Sequence, residues 1–92
     1  MAFALRIERR VVKELTGLDA KIFRQVALRI FQLSQDPRPH DSEELKGYRD
    51  PAAPGRKGFR VDQGEYRILY TIDPERKVVA VFRVGHRREV YR

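Results

Sequence analysis

The amino-acid sequence predicts an α+β domain: an N-terminal strand, then an antiparallel pair of helices, then a three-stranded meander. Three observations lead there. Apolar residues recur at every second position in Phe3–Glu8, at helical spacing between Arg9 and Gln35, and at every second position again from Phe59 onward. Turn-forming residues separate these segments. Helices followed by a run of adjacent strands place the helical pair on one face of a mainly antiparallel sheet of about four strands. The length, 92 residues, suits a single domain spanning residues 1–92.

Each element has a local reason. Phe3, Leu5 and Ile7 share one side of the first strand. In Arg9–Leu15, Val11, Val12 and Leu15 take helical spacing, and Gly17 follows as a possible left-handed cap. Asp19 is placed to cap a second helix, Ala20–Gln35. Its apolar stripe comprises Ile22, Phe23, Val26, Ala27, Ile30, Phe31 and Leu33, all expected in the core. Asp36-Pro37 ends it, because the residue before proline is pushed out of the helical region. Residues 38–55 hold several prolines and glycines and read as an irregular loop that Leu45 and Tyr48 pin to the body. Phe59–Asp62, Tyr66–Ile72 and Lys77–Val84 are strands, joined by turns at Gln63-Gly64 and Asp73–Arg76.

Composition narrows the function. Twenty Lys+Arg against 13 Asp+Glu give a formal charge of +7, which favours a polyanionic partner. With no cysteine, disulfides, thiol catalysis and thiolate metal sites are excluded. Residues 1–8 are too short and too soon charged for a signal peptide, and no apolar run approaches membrane-spanning length, so a cytoplasmic protein without membrane contact is expected.

Strand parity then locates a surface. In Tyr66–Ile72 one side carries Tyr66, Ile68, Tyr70 and Ile72, and the other Arg67, Leu69 and Thr71. In the last strand Ala80, Phe82 and Val84 share one side and Val79, Val81 and Arg83 the other. With the fuller apolar sets against the helices, Arg67 and Arg83 emerge on the uncovered face. Arg87 joins them if the strand runs undistorted past Gly85. The segment Val84-Gly85-His86-Arg87-Arg88-Glu89-Val90-Tyr91-Arg92 follows the most apolar run of the chain and holds residue types that bind phosphate and stack on bases.

Taken in order, Leu45-Lys46-Gly47, Gly64-Glu65-Tyr66-Arg67-Ile68-Leu69-Tyr70 and Val84–Tyr91 resemble the RelE toxins of the RelE/ParE toxin–antitoxin superfamily, and the resemblance covers nearly the whole chain. It implies a fold like that of the microbial ribonucleases. It also implies an endoribonuclease that cuts messenger RNA in the A site of the 70S ribosome and is neutralised by a RelB-like antitoxin. The implied chemistry is metal-independent and needs no cofactor: the ribose 2′-hydroxyl attacks the adjacent phosphate.

The resemblance also assigns roles. Arg67 matches the family's phosphate-stabilising arginine, Arg87 its second catalytic arginine, and Tyr91 the tyrosine that stacks on the substrate base. The family's basic pair falls on Arg56–Asp62, where Lys57 and Arg60 are the candidates and Gly58 stands in the place of one lysine. The proton acceptor is left open among Lys57, Arg60 and His86; arginine serves poorly as a base, and histidine suits proton transfer near neutrality. Arg83, Arg88 and Arg92 are expected to grip RNA, and His40 to be a solvated loop residue. Many relatives continue into a C-terminal helix where this sequence stops at Arg92, so inhibition is expected to act on the tail itself. Two rival functions share the basic surface: a ParE-like gyrase poison and a non-catalytic RNA-binding domain.

Overall fold

The computed structural model describes residues 2–53 and 55–90. The strands are β1 (Ala4–Ile7), β2 (Glu43–Glu44), β3 (Gly58–Gln63), β4 (Tyr66–Asp73) and β5 (Val78–His86), and the helices are α1 (Arg9–Thr16) and α2 (Ala20–Gln35). One sheet has the order β1-β5-β4-β3-β2, antiparallel throughout except for the parallel pair β1–β5. The expected α+β class is the observed one. The sheet has five strands rather than about four, because two residues of the proline-rich segment, Glu43 and Glu44, pair with Arg60 and Phe59.

Asp19 caps α2 as anticipated, its carboxylate accepting from the Ile22 amide at 3.0 Å. Gly17 differs: its φ of −83° lies in the right-handed region, and its amide donates to the Lys13 carbonyl at 3.3 Å. The apolar face of α2 is also narrower than expected. Val26, Ile30 and Leu33 are buried at i, i+4 and i+7, whereas Phe23, Leu28 and Phe31 are exposed. The core joins Val11 of α1 and the α2 face to Phe59, Val61, Ile68, Tyr70, Val79, Val81 and Val84.

Val84 in that set reports a bulge. β4 and β5 pair Leu69 with Arg83 but Tyr70 with Val81, so Phe82 is an extra residue. The parity of β5 therefore reverses there. Val79, Val81 and Val84 face the helices, and Phe82 turns to the opposite face, where its ring stacks on Tyr48 at 4.8 Å. The expected grouping of Ala80, Phe82 and Val84 on one side is corrected by this single inserted residue.

Tyr48 lies over Gly58, where a Cβ would stand 2.7 Å from Cδ2 of the Tyr48 ring and 3.2 Å from Leu45. Glycine at 58 is thus what lets residues 45–48 close onto the sheet. Gly58→Ala is expected to lower unfolding free energy by about 1–2 kcal/mol through overpacking, read as a lower midpoint in urea; an unchanged midpoint would mean the ring has room to shift.

Candidate active site

Gly64, at φ +60°, is the first of two residues linking β3 to β4, the position where a type II′ hairpin turn takes glycine. The turn is centred on Gly64-Glu65, one residue later than the sequence suggests, and this sets Asp62 directly opposite Arg67. Arg67 grips the Asp62 carboxylate with two nitrogens, Nε to Oδ1 at 2.7 Å and NH2 to Oδ2 at 3.3 Å. Arg60 lies on the same face of β3, with NH1 4.0 Å from Asp62 Oδ1. It is also paired with Glu43 of β2.

Arg87 completes the cluster from β5. That strand runs through His86, and the chain then turns, with the Glu89 and Val90 amides bonded to the His86 carbonyl at 2.8 and 2.9 Å. The Arg87 amide donates to the Glu65 carbonyl at 2.8 Å, and its guanidinium Nε is 3.5 Å from the Glu65 carboxylate. Val90 folds back as a buried plug against Gly85. The strand runs two residues further than the expected Val84, and the chain then turns at residue 87, so the condition of an undistorted run past Gly85 holds only to His86. The charge of Arg87 nevertheless reaches Asp62: the Arg67 hydrogen bond first, then the charges of Arg67, Arg60 and Arg87, hold the Asp62 carboxyl below its ordinary range against the opposing effect of its own burial. The stability linked to that carboxylate is therefore present above the usual carboxylate range and lost as pH falls through the lowered value.

The other expected residues lie elsewhere. Lys57 precedes Gly58, five positions from Asp62 along the strand or about 16 Å, and pairs with Glu44 at 3.6 Å. The structure does not bring it to Arg67. His86 stands opposite Tyr66, ring edge to ring face at 5.7 Å, with Nε2 3.7 Å from Glu65. Arg83 is drawn to the sheet edge by Glu14 of α1, Nε to Oε2 at 2.7 Å, while the other Glu14 oxygen accepts from the Val84 amide at 2.9 Å. Its guanidinium thus pairs with α1. Arg88 is exposed. Tyr91 and Arg92, expected to stack on a base and to grip RNA, lie outside the described residues.

Sequence reasoning missed Asp62. The signal was there in principle: with a two-residue turn at Gly64-Glu65, Asp62 and Arg67 are cross-strand partners. Beside the cluster is a shallow recess of about 410 Å3, walled by Tyr48, Leu69, Phe82 and Arg60. Cations held by the carboxylates of Asp62, Glu43 and Glu65, beside an aromatic-walled hollow, suit an anionic ligand that carries rings. Among the described residues no group of His, Cys, Asp or Glu could hold a metal ion, and no helix is long and apolar enough to cross a membrane.

Comparison with known proteins finds chains similar to this one. A family model described as the ParE toxin of the type II toxin–antitoxin system parDE matches residues 5–91. Toxin RelG of Mycobacterium tuberculosis is 47% identical over 34 residues, 37% of this chain and 39% of that toxin, so the match spans less than half of the curated relative. The archaeal RelE–RelB complex of Pyrococcus horikoshii OT3 holds a chain similar in structure, at TM-score 0.79 and 25% identity over 98% of this chain and 100% of the other. A chain of the toxin–antitoxin complex RelBE2 of Mycobacterium tuberculosis matches at TM-score 0.73 and 31% identity, over 95% and 100% of the two chains. The intact Escherichia coli RelBE complex, at 24% identity and TM-score 0.74 over 92% and 96%, shows the shared fold.

Proposed function

This chain belongs to the ParE toxin family of type II toxin–antitoxin systems, within the RelE/ParE superfamily, and from that premise we propose that it is an endoribonuclease that cuts messenger RNA in the ribosomal A site. The observation that carries this reading is the pairing of Arg67 and Arg60 with Asp62 on the sheet face the helices leave bare, with Arg87 held by Glu65 at the turn that joins their strands. A fork of guanidinium nitrogens that holds a carboxylate at 2.7 and 3.3 Å has the shape to hold phosphate oxygens. Preset cations in that position stabilise the charge that builds on phosphorus during 2′-hydroxyl attack. The neighbouring recess offers Tyr48 and Phe82 to a base. No resident metal is needed for this chemistry, and the cytoplasm is where its substrate is found.

An antitoxin is the natural partner. RelE–RelB and RelBE complexes are what the similar solved chains belong to. Phe23, Leu28 and Phe31 form an exposed apolar stripe on α2, with Leu28 and Phe31 neighbours at i, i+3. A stripe of that kind on a charged domain marks a protein-binding surface. Leu28→Glu/Phe31→Glu is expected to weaken binding of the cognate antitoxin roughly 10- to 100-fold, as loss of central apolar anchors does. Titration calorimetry checks it, and an unchanged Kd would move the interface elsewhere.

The rival reading, a gyrase poison, takes its support from the description of the matching family model. Induction of the protein in growing bacteria with mapping of transcript ends, beside an Arg67→Ala/Arg87→Ala variant, separates the two. Ribosome-phased cuts that the double change abolishes are the expected result. Growth arrest with intact transcripts and broken DNA would overturn it in favour of gyrase.

A further inference from the structure

Attack by a 2′-hydroxyl needs a group that takes its proton, and this requirement rests on the ribonuclease reading above. The three residues expected to supply it do not fit the geometry. Lys57 is about 16 Å along the strand from the cluster. Arg60, like Arg67 and Arg87, keeps its proton at any physiological pH. His86 is turned toward Tyr66 and Glu65.

We propose that Asp62 is the proton acceptor. It sits in register with Arg67, on the uncovered face, with Arg60 on its other flank. Its side chain is 37% exposed although Arg67 binds both of its oxygens, so one edge of the carboxylate looks outward to where a bound strand would lie. An ionised carboxylate offers about four lone-pair directions, and the Arg67 fork occupies two. A phosphodiester drawn to Arg60 and to the Arg67 guanidinium beside its Asp62 contacts brings its 2′-hydroxyl alongside the remaining two. Cross-strand neighbours of this kind have Cβ atoms about 5 Å apart, which suits adjacent contacts to one phosphate and its own ribose.

The step balances without a co-reactant other than water. The 2′-hydroxyl proton passes to an Asp62 oxygen as the 2′-oxygen bonds to phosphorus, and the bond from phosphorus to the 5′-oxygen breaks. The departing 5′-oxygen takes a proton from water, and the hydroxide so formed takes the proton back from Asp62. The products are a 2′,3′-cyclic phosphate and a 5′-hydroxyl. Nothing is oxidised or reduced. Asp62 has a second consequence before substrate arrives, since its bond to Nε holds the Arg67 fork in one orientation.

The experiment is single-turnover cleavage of messenger RNA on programmed ribosomes by the wild-type protein and by Asp62→Asn, Asp62→Glu and Asp62→Ala. Asp62→Asn, nearly isosteric and still able to accept from Arg67, is expected to slow cleavage about 100-fold, the low end for loss of a general base, because the neighbouring arginines weaken the carboxylate as a base. Asp62→Glu, which keeps the carboxylate, is expected to retain at least a tenth of the rate, about 10% or more of wild type by the same measure. Formate added to Asp62→Ala is expected to restore rate in proportion to its concentration, which a purely structural role would not allow. Asp62→Asn within threefold of wild type overturns the proposal, as does equal loss in Asp62→Asn and Asp62→Glu, or no response to formate, with the threefold margin set at about 0.7 kcal/mol. Absence of cleavage by the wild-type protein itself overturns the ribonuclease reading, which keeps the two failures apart.

Discussion

Arg67→Ala is expected to slow ribosome-dependent cleavage by about two to three orders of magnitude, the cost of losing one preset donor to developing charge. The fold is expected to survive the change. The pair that Arg67 makes with Asp62 is more than one-third solvent-exposed on the aspartate side, and pairs of that kind contribute little, on the order of 1 kcal/mol or less. Arg67→Lys is the informative companion. It keeps the charge but loses the fork whose two nitrogens meet Asp62 at 2.7 and 3.3 Å. Its rate is expected to fall between alanine and wild type, because lysine presents a point charge where a planar pair of donors is used. Single-turnover rates with matched thermal midpoints check this. A lysine variant as fast as wild type would mean that charge alone suffices, and an alanine variant within tenfold of wild type would remove Arg67 from the chemistry.

The second large effect is on stability at alkaline pH. Tyr70 is wholly buried against the helices, and its hydroxyl donates to the Pro37 carbonyl at 2.7 Å. Burial, the largest influence, pushes its phenol up to about 12. The unfolded chain releases that proton near the ordinary tyrosine value of about 10. The raised folded value makes the contribution fully present below about pH 10 and progressively lost as pH climbs toward 12, a decline of roughly 2–3 kcal/mol. Tyr70→Phe lacks the titration. It is expected to be about 1 kcal/mol less stable than wild type at pH 8, where it misses the hydrogen bond. By pH 11.5 it is expected to be the more stable of the two. Urea unfolding across that range tests the crossing, and a constant gap between the two proteins would show that Tyr70 does not titrate differently in the folded state.

Much of this molecule is legible from its amino acids, for reasons that vary by element. Asp19 and Asp36-Pro37 bound α2 through chemistry local to a few residues, and Ile68 and Tyr70, two apart in β4, share the side that joins the core. What escaped depends on pairing. The bulge at Phe82 changes no composition, yet it reverses which valines are buried, since Val84 rather than Phe82 meets the core. β2 is a pair of glutamates at a sheet edge, held by backbone bonds that need no apolar alternation. The site shows the same division. Arg67 was visible from its strand, and Arg60 from the family's basic pair on the strand before it. Asp62 itself was hidden, because its role appears only when the turn at Gly64-Glu65 fixes its partner. Lys57 looked apt by residue type, but it precedes β3 and pairs with Glu44. Phe31 fitted a helical stripe but lies outside the face that three evenly spaced residues, Val26, Ile30 and Leu33, already fill.

The place of β5 between β1 and β4 has a bearing on how the protein is made. Ala4 pairs with Val78 and Arg67 with Gly85, so two separate portions of the sheet wait on one late-translated segment. While the chain is being synthesised, β1 has no neighbour and the β3–β4 hairpin has only one side covered. Domains of this connectivity fold as a unit once the missing piece emerges, rather than progressively from the N-terminus. The arginine cluster, which needs Arg87 beyond β5, therefore comes into being only after the nascent chain has cleared the exit tunnel that far.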